Sequence, residues 1–254
     1  MAARLIAVAL SAALAAPAAQ AFDHSAWDAL LKKNVVVLPG GHASQVRYHG
    51  FAADRAALKA YLDALSKVGA AEFESWPKNE RKAFLINAYN AFTVEKILTR
   101  WPDIASIRDF GKIFGNPFKD DFFALFGRPM TLDGIEHGML RKKGAYDDPR
   151  VHFALNCASI GCPMLREEAY AAGRLDAQLD DQARRFLGDA TRNRYHDGRL
   201  EVSKIFDWFK EDFAPEPRFF ARYAAQLGYD GGEAPITYLD YDWSLNAYRS
   251  SSPR

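Results

Sequence analysis

Apolar positions along this chain recur with a helical period far more often than with the two-residue alternation of a half-buried strand. Between Asp54 and Val68, the residues Leu58, Tyr61, Leu62, Leu65 and Val68 share one face, and Asp54 stands where an N-cap belongs. The longest pattern runs from Lys78 to Arg100, carries Phe84, Leu85, Ala88, Tyr89, Phe92 and Leu98, and meets Trp101-Pro102 as its stop. Further helices are predicted from Asp133 to Lys142, from Arg174 to Leu187, from a Ser203 cap through Phe213, and from Pro217 to Leu227 with Gly228 closing the last. Strand patterns are short: Arg128 to Leu132 as strand or turn, Val151 to Asn156 as a buried strand, Leu200 to Val202, and Ile236 to Tyr241. From Asp103 to Phe126, Gly111, Gly115 and Pro117 interrupt any period. Helices outnumber strands without strict alternation, so the expected class is α+β, a single helix-rich domain around a small β-sheet.

The first 21 residues stand apart. Arg4 precedes an apolar run from Leu5 to Ala15, and Ala19-Gln-Ala21 has the form of an export cleavage site. The run is shorter than the ~20 residues of a spanning helix, and no later stretch reaches that length. We therefore expect a signal peptide over 1–21, one globular domain over 22–254, a periplasmic or secreted location, and no stable membrane insertion after cleavage. With Arg4 set aside, bases and acids balance, and no basic stripe or acidic tail appears. Nucleic acid is not an expected partner. The 18 Phe, 11 Tyr and 5 Trp suit a packed interior.

Candidate chemistry concentrates in Arg150-Val-His-Phe-Ala-Leu-Asn-Cys-Ala-Ser-Ile-Gly-Cys-Pro163, which holds both cysteines and His152. An apolar run leads into small residues, a pattern that fits a strand–turn–helix with Cys157 exposed at the junction. A helix N-terminus or a nearby imidazolium would favour its thiolate, and backbone N–H groups of the turn would offer an oxyanion site. Ser159 can cap the following helix. Cys157 as nucleophile stands beside three other readings: a Cys157–Cys162 disulfide, two inert core thiols, and a zinc site from the H-x4-C-x4-C spacing of His152, Cys157 and Cys162. The last matches no standard zinc pattern, and no metal or other cofactor is expected. A straight strand would hold His152 and Cys157 about 16 Å apart on opposite faces, whereas proton transfer needs about 3 Å. Either the chain turns near Asn156, or His137 or the more distant His196 supplies the base. Glu136 has capping-box spacing from Asp133, and that role competes with orienting a histidine. Asn87 and Asn90 lie one turn apart on the long apolar helix. They read as buried struts that can also hold the Cys157 turn or donate to a substrate. His24, His42 and His49 have no ligand spacing and read as surface residues.

The stretches Ala83-Phe-Leu-Ile-Asn-Ala-Tyr-Asn-Ala91, Leu132-Asp-Gly-Ile-Glu-His137, Pro149 to Ser159, Ser203-Lys-Ile-Phe-Asp-Trp208 and Asp242-Trp-Ser-Leu-Asn246 resemble the domain of unknown function 547 family. The resemblance implies that Asn87, Tyr89, Asn90, Glu136, His152, Cys157 and Ser159 fall on its characteristic positions. It also implies that the Cys162 position can be serine in plant members and that the His137 position varies. The turn is similar to the cysteine-centred turn of papain-like proteases, which brings a papain- or transglutaminase-like arrangement into view. The expected function is a cysteine-dependent acyl transfer on a small-molecule, peptide or envelope substrate. Cys157 attacks, His152 acts as base, and Glu136 or an Asn87 or Asn90 amide positions the partner. The alternatives are an exported binding or scaffold domain and a thiol–disulfide redox protein using Cys157 and Cys162.

Overall fold

The computed structural model describes residues 21–111 and 115–249. The expected signal peptide lies, apart from Ala21, outside the described residues. The chain enters through α1 (Ser25–Asn34), a hairpin of β1 (Val35–Val37) and β2 (Ser44–Val46), and the helices α2 (Tyr48–Ala53), α3 (Arg55–Lys67) and α4 (Ala70–Ser75). These surround α5 (Lys78–Leu98), a 21-residue helix buried on nearly every side. The elements before α3, and α4 after it, add to those expected. With six residues each, α2 and α4 are too short for a period to show. Asp54 does not cap α3; its carboxylate accepts hydrogen bonds from Lys33 at 2.8 Å and Asn34 at 3.5 Å.

Beyond α5, a second hairpin pairs β3 (Phe123–Leu125) with β4 (Arg128–Met130). Next comes α6 (Leu132–Ile135), which widens into a π turn over Glu136–Leu140, so the continuous helix expected to Lys142 is absent. The predicted strand at Val151 is instead a helical turn, α7 (Val151–Ala154). Asp148 explains the change. Its side chain accepts from Arg150 N at 3.1 Å and its carbonyl from Val151 N at 3.2 Å, so the chain is already turning when the apolar run begins.

The remaining elements are α8 (Leu175–Leu187), β5 (Arg194–His196), β6 (Arg199–Ser203), α9 (Ile205–Trp208), a 3-10 turn at Lys210–Phe213, α10 (Glu216–Arg222), α11 (Ala224–Leu227) and β7 (Ile236–Leu239). The last sheet has order β5-β6-β7, with β6 and β7 parallel. The class is α+β and helix-rich, its strand content divided, among the described residues, into three small sheets. Among the described residues, no helix is long and apolar enough to cross a membrane.

Two apolar clusters form the interior. One surrounds α5 and takes in Ala154 and Leu155; the other joins α8, β6 and the helices after it, and takes in Phe153. The short α7 therefore sits on the seam between them. Helix α5 also buries polar side chains, and several of them fasten distant segments. Lys82 reaches Asp148 at 2.5 Å and Lys96 reaches Asp120 at 2.7 Å. The Asn87 amide donates to Tyr170 O at 2.8 Å and accepts from Tyr170 N at 3.0 Å. Leaving both Tyr170 groups unpaired in the interior is costly. Asn87→Leu is expected to lower unfolding free energy by about 3 kcal/mol in a denaturant titration, while the Cys157 labelling rate of the folded protein stays unchanged.

Candidate active site

A cleft of about 530 Å³ opens at the seam, a size suited to a small ligand. Cys157, Glu136, His152, Tyr89 and Tyr241 all line it. Cys157 is half-buried, and no helix follows it. The turn is instead held from outside. Asn90 accepts from Asn156 N at 2.8 Å and donates to Ala154 O at 2.9 Å. Asn156 in turn donates to Pro163 O at 2.8 Å and accepts from Ala158 N at 3.0 Å. Ala158 has φ +63°, a left-handed conformation that costs a residue with a Cβ about 1–2 kcal/mol. Gly161 has a different constraint. A Cβ there would stand 3.0 Å from Tyr241 and from the Asp242 backbone, so glycine lets the 241–244 segment lie against the turn. Ile160 N and Gly161 N donate to Ser244 O and Asp242 O across that contact, each at 2.8 Å.

The expected backbone oxyanion site is absent from this turn, because its N–H groups are already engaged. Cys157 N donates to Cys162 Sγ at 2.8 Å, Ala158 N to Asn156, Ser159 N to the Cys157 sulfur, and Cys162 N to Ser159 O at 3.1 Å. Ser159 is likewise no helix cap. Its hydroxyl lies 2.9 Å from Cys157 Sγ, and the Tyr241 hydroxyl lies 3.1 Å from the same sulfur. Burial opposes ionisation of Cys157, but the Cys162 thiol, the Ser159 and Tyr241 hydroxyls and the Ser159 N–H outweigh it, and its pKa falls below the ordinary thiol value. Burial, with Cys157 alongside, pushes Cys162 well up. Both thiols are free. Among the described residues no group of His, Cys, Asp and Glu has the arrangement of a metal site.

Glu136 does not close a capping box. Thr131 caps α6, accepting from Gly134 N at 2.8 Å, and the π turn carries Glu136 into the cleft. There burial and the charge of Cys157 raise its pKa to about 7, against a hydrogen bond from Tyr89. His152 stacks on Phe209 with ring centroids 4.2 Å apart, and its Nε2 lies 2.7 Å from Asp212. Its Nδ1 stands 3.9 Å from Glu136. Burial pulls the imidazole pKa down despite Asp212. Around neutrality His152 is therefore uncharged, while Glu136 passes between its protonated and ionised forms. Asp212 is held at about 2: burial is overcome by hydrogen bonds from His152 and Arg141, the latter at 2.5 Å.

The helical turn of α7 resolves the distance problem of a straight strand by bringing His152 and Cys157 into one cleft. No hydrogen bond joins them, and the ring nitrogens face the two carboxylates. His137 lies on the rim, bonded to Arg141 and 3.5 Å from Asp133. His196 is exposed on β5, beside Asp197 and Glu201. Asn87 lies outside the cleft with its amide occupied by Tyr170, so it has no group to offer a substrate. His24 is not a surface residue: it is part-buried, 2.7 Å from the Tyr61 hydroxyl, and burial lowers its pKa to about 4. Sequence reasoning missed Asp212 and Tyr241, which lie far along the chain from the residues they touch and carry no motif of their own.

The sequence model of a family described as protein of unknown function, DUF547, matches residues 73–187. Over that stretch the chain carries the DUF547 family's sequence pattern. No curated protein and no solved structure matches it. The DUF547 segment holds Tyr89, Glu136, His152 and the Cys157 turn, while Asp212 and Tyr241 come from beyond it.

The raised Glu136 pKa has a thermodynamic sign. The native state keeps a proton that the unfolded chain releases from about pH 4.5, so Glu136 destabilises the fold progressively as pH rises toward 7 and fully above it. Glu136→Gln removes that loss. The variant is expected to gain stability over the parent between pH 4.5 and pH 8, by up to about 3 kcal/mol in paired denaturant titrations. An equal difference at both pH values would contradict a buried, protonated carboxyl.

Proposed function

We propose that this DUF547 protein is a cysteine-dependent acyl-transfer enzyme of the peptidase, amidase or transglutaminase-like kind, acting in the periplasm or outside the cell. The observation that carries the reading is a thiol on a ligand-sized cleft, its pKa lowered by hydrogen bonds, beside a carboxyl that titrates near neutrality. Two acids that meet in one poorly solvated place divide the roles of charged attacker and proton holder between them. The export-type leader supports the location.

In the proposed reaction, the Cys157 thiolate attacks a carbonyl carbon and forms a thioester, and the leaving amine takes a proton from Glu136. Water or an acceptor amine then attacks the thioester, gives up its proton to Glu136, and the thiolate departs. His152 stands behind Glu136 rather than beside the sulfur. With Nε2–H donated to Asp212, its Nδ1 lone pair faces the carboxyl and fixes which oxygen carries the proton. The Tyr241 and Tyr89 hydroxyls replace backbone donors at the oxyanion.

A second reading has its own observation. Cys157 faces the cleft while Cys162 is buried against it, the arrangement of an attacking and a resolving thiol in disulfide exchange.

Mixing with p-nitrophenyl acetate is expected to release a burst of nitrophenolate equal to the enzyme present and to leave acetyl on Cys157, seen by intact mass. Cys157→Ser should abolish the burst. Glu136→Gln should slow deacylation by at least ~100-fold, and Asp212→Asn should slow it less. Acetylation at the rate of an unfolded thiol would sink the acyl-transfer reading. Rapid, quantitative formation of a Cys157–Cys162 bridge from oxidised glutathione would favour the exchange reading.

Alkylation by iodoacetamide over a pH series gives a separate check. Its half-maximal rate for Cys157 is expected below the ~8.5 of a free cysteine, with Tyr241→Phe moving the midpoint upward.

A further inference from the structure

One wall of the cleft is aromatic and joined directly to the thiol. The Tyr241 ring, whose hydroxyl meets Cys157 Sγ, lies 4.7 Å from Trp243 and 4.9 Å from Trp208. The two indoles stack at 5.7 Å, and Trp208 is 44% exposed although aromatic neighbours surround it. A large ring left open beside a reactive group is available to a ligand. Arg108 completes this end. Its guanidinium lies 5.2 Å from the Trp243 ring centre and lines the same cleft. Among the described residues it meets no carboxylate. Arg141, beside the cleft, is by contrast held by Asp212 and Glu211. Ser106 fixes the segment, donating to Trp243 O at 2.7 Å. The acidic residues of the cleft, Asp133 and Glu136, come from the α6 segment instead.

We propose that Arg108, Trp208 and Trp243 form the specificity subsite of this cleft, for acyl compounds that carry a free carboxylate beside a flat or aliphatic group, as the C-terminal end of a peptide does. The inference rests on the acyl-transfer reading for the meaning of "substrate", but the binding it describes does not require a working thiol. A guanidinium presents a planar pair of donors that matches a carboxylate, and indole faces accept rings and hydrocarbon chains with little loss of freedom. The stacked Trp243 holds the guanidinium plane in place. Neutral or cationic acyl compounds would find the aromatic wall but no partner for their charge.

The test uses N-acetylphenylalanine and its uncharged amide as probes, on the full chain carrying Cys157→Ser, with tryptophan fluorescence as readout. The carboxylate is expected to quench the emission and to bind at least threefold more tightly than the amide, the scale of an exposed ion pair. Raising salt to about 0.5 M should erase that preference. Arg108→Gln should abolish the preference while leaving amide binding unchanged, and Trp208→Ala should weaken both probes. Equal binding of the two probes, a preference that survives Arg108→Gln, or no binding of either overturns the subsite. A slow, ordinary thiol at Cys157 would instead remove the acyl-transfer reading and leave this result standing as ligand binding alone.

Discussion

The Cys157 turn cannot hold its own shape, and the site depends on the buried amides that hold it. Residues 156–163 belong to neither helix nor extended sheet, and one of them, Ala158, occupies a left-handed conformation. Asn90 fixes the entry to the turn, Asn156 spans it, and Asn246 donates to Asn156 at 3.3 Å while accepting from the Tyr48 hydroxyl at 2.8 Å. The backbone of Asn246 adds a bond to Ala158 O. In the interior these amides have no water to turn to, so each bond is worth more than at the surface and the network tolerates few alternatives. Helix α5 supplies the rigid end, because it is buried on nearly every side and cannot shift without disturbing the larger core.

That rigidity has an electrostatic result. The N–H groups that would ordinarily point into a cleft are spent on the sulfur and on the turn. The thiol therefore gains its stabilisation from Ser159, Tyr241 and Cys162, while the space in front of it is left to the side chains of Glu136, Tyr89 and His152. The π turn matters here. Its wider coil lets Arg141 N reach Glu136 O at 2.8 Å and displaces the following residues from a plain helical path. Burial then lifts the Glu136 pKa to about 7 and lowers that of His152.

Long-period features were legible in the sequence, and contacts between distant segments were not. The limits of α3, α5 and α8 came within a residue or two of the apolar stripes that define them. The run from Val151 misled because four or five apolar residues suit a strand and a buried helical turn equally; Asp148, just upstream, decides between them. Glu136 misled because a carboxylate three residues from an aspartate fits a capping box, yet Thr131 one turn earlier already satisfied the helix. Cys157 and His152, from one stretch of sequence, and Tyr89, from another, all line the cleft. Asp212 and Tyr241 carry no local signature; their positions follow from how the second apolar cluster packs against the first.

The matched stretch ends with α8, but the cleft does not. The hydroxyl that touches the sulfur, the carboxylate behind the imidazole and the exposed indole all arrive from the last quarter of the chain. A chain that shared only residues 73–187 would therefore carry the same sulfur in other surroundings, with the groups that face it supplied anew.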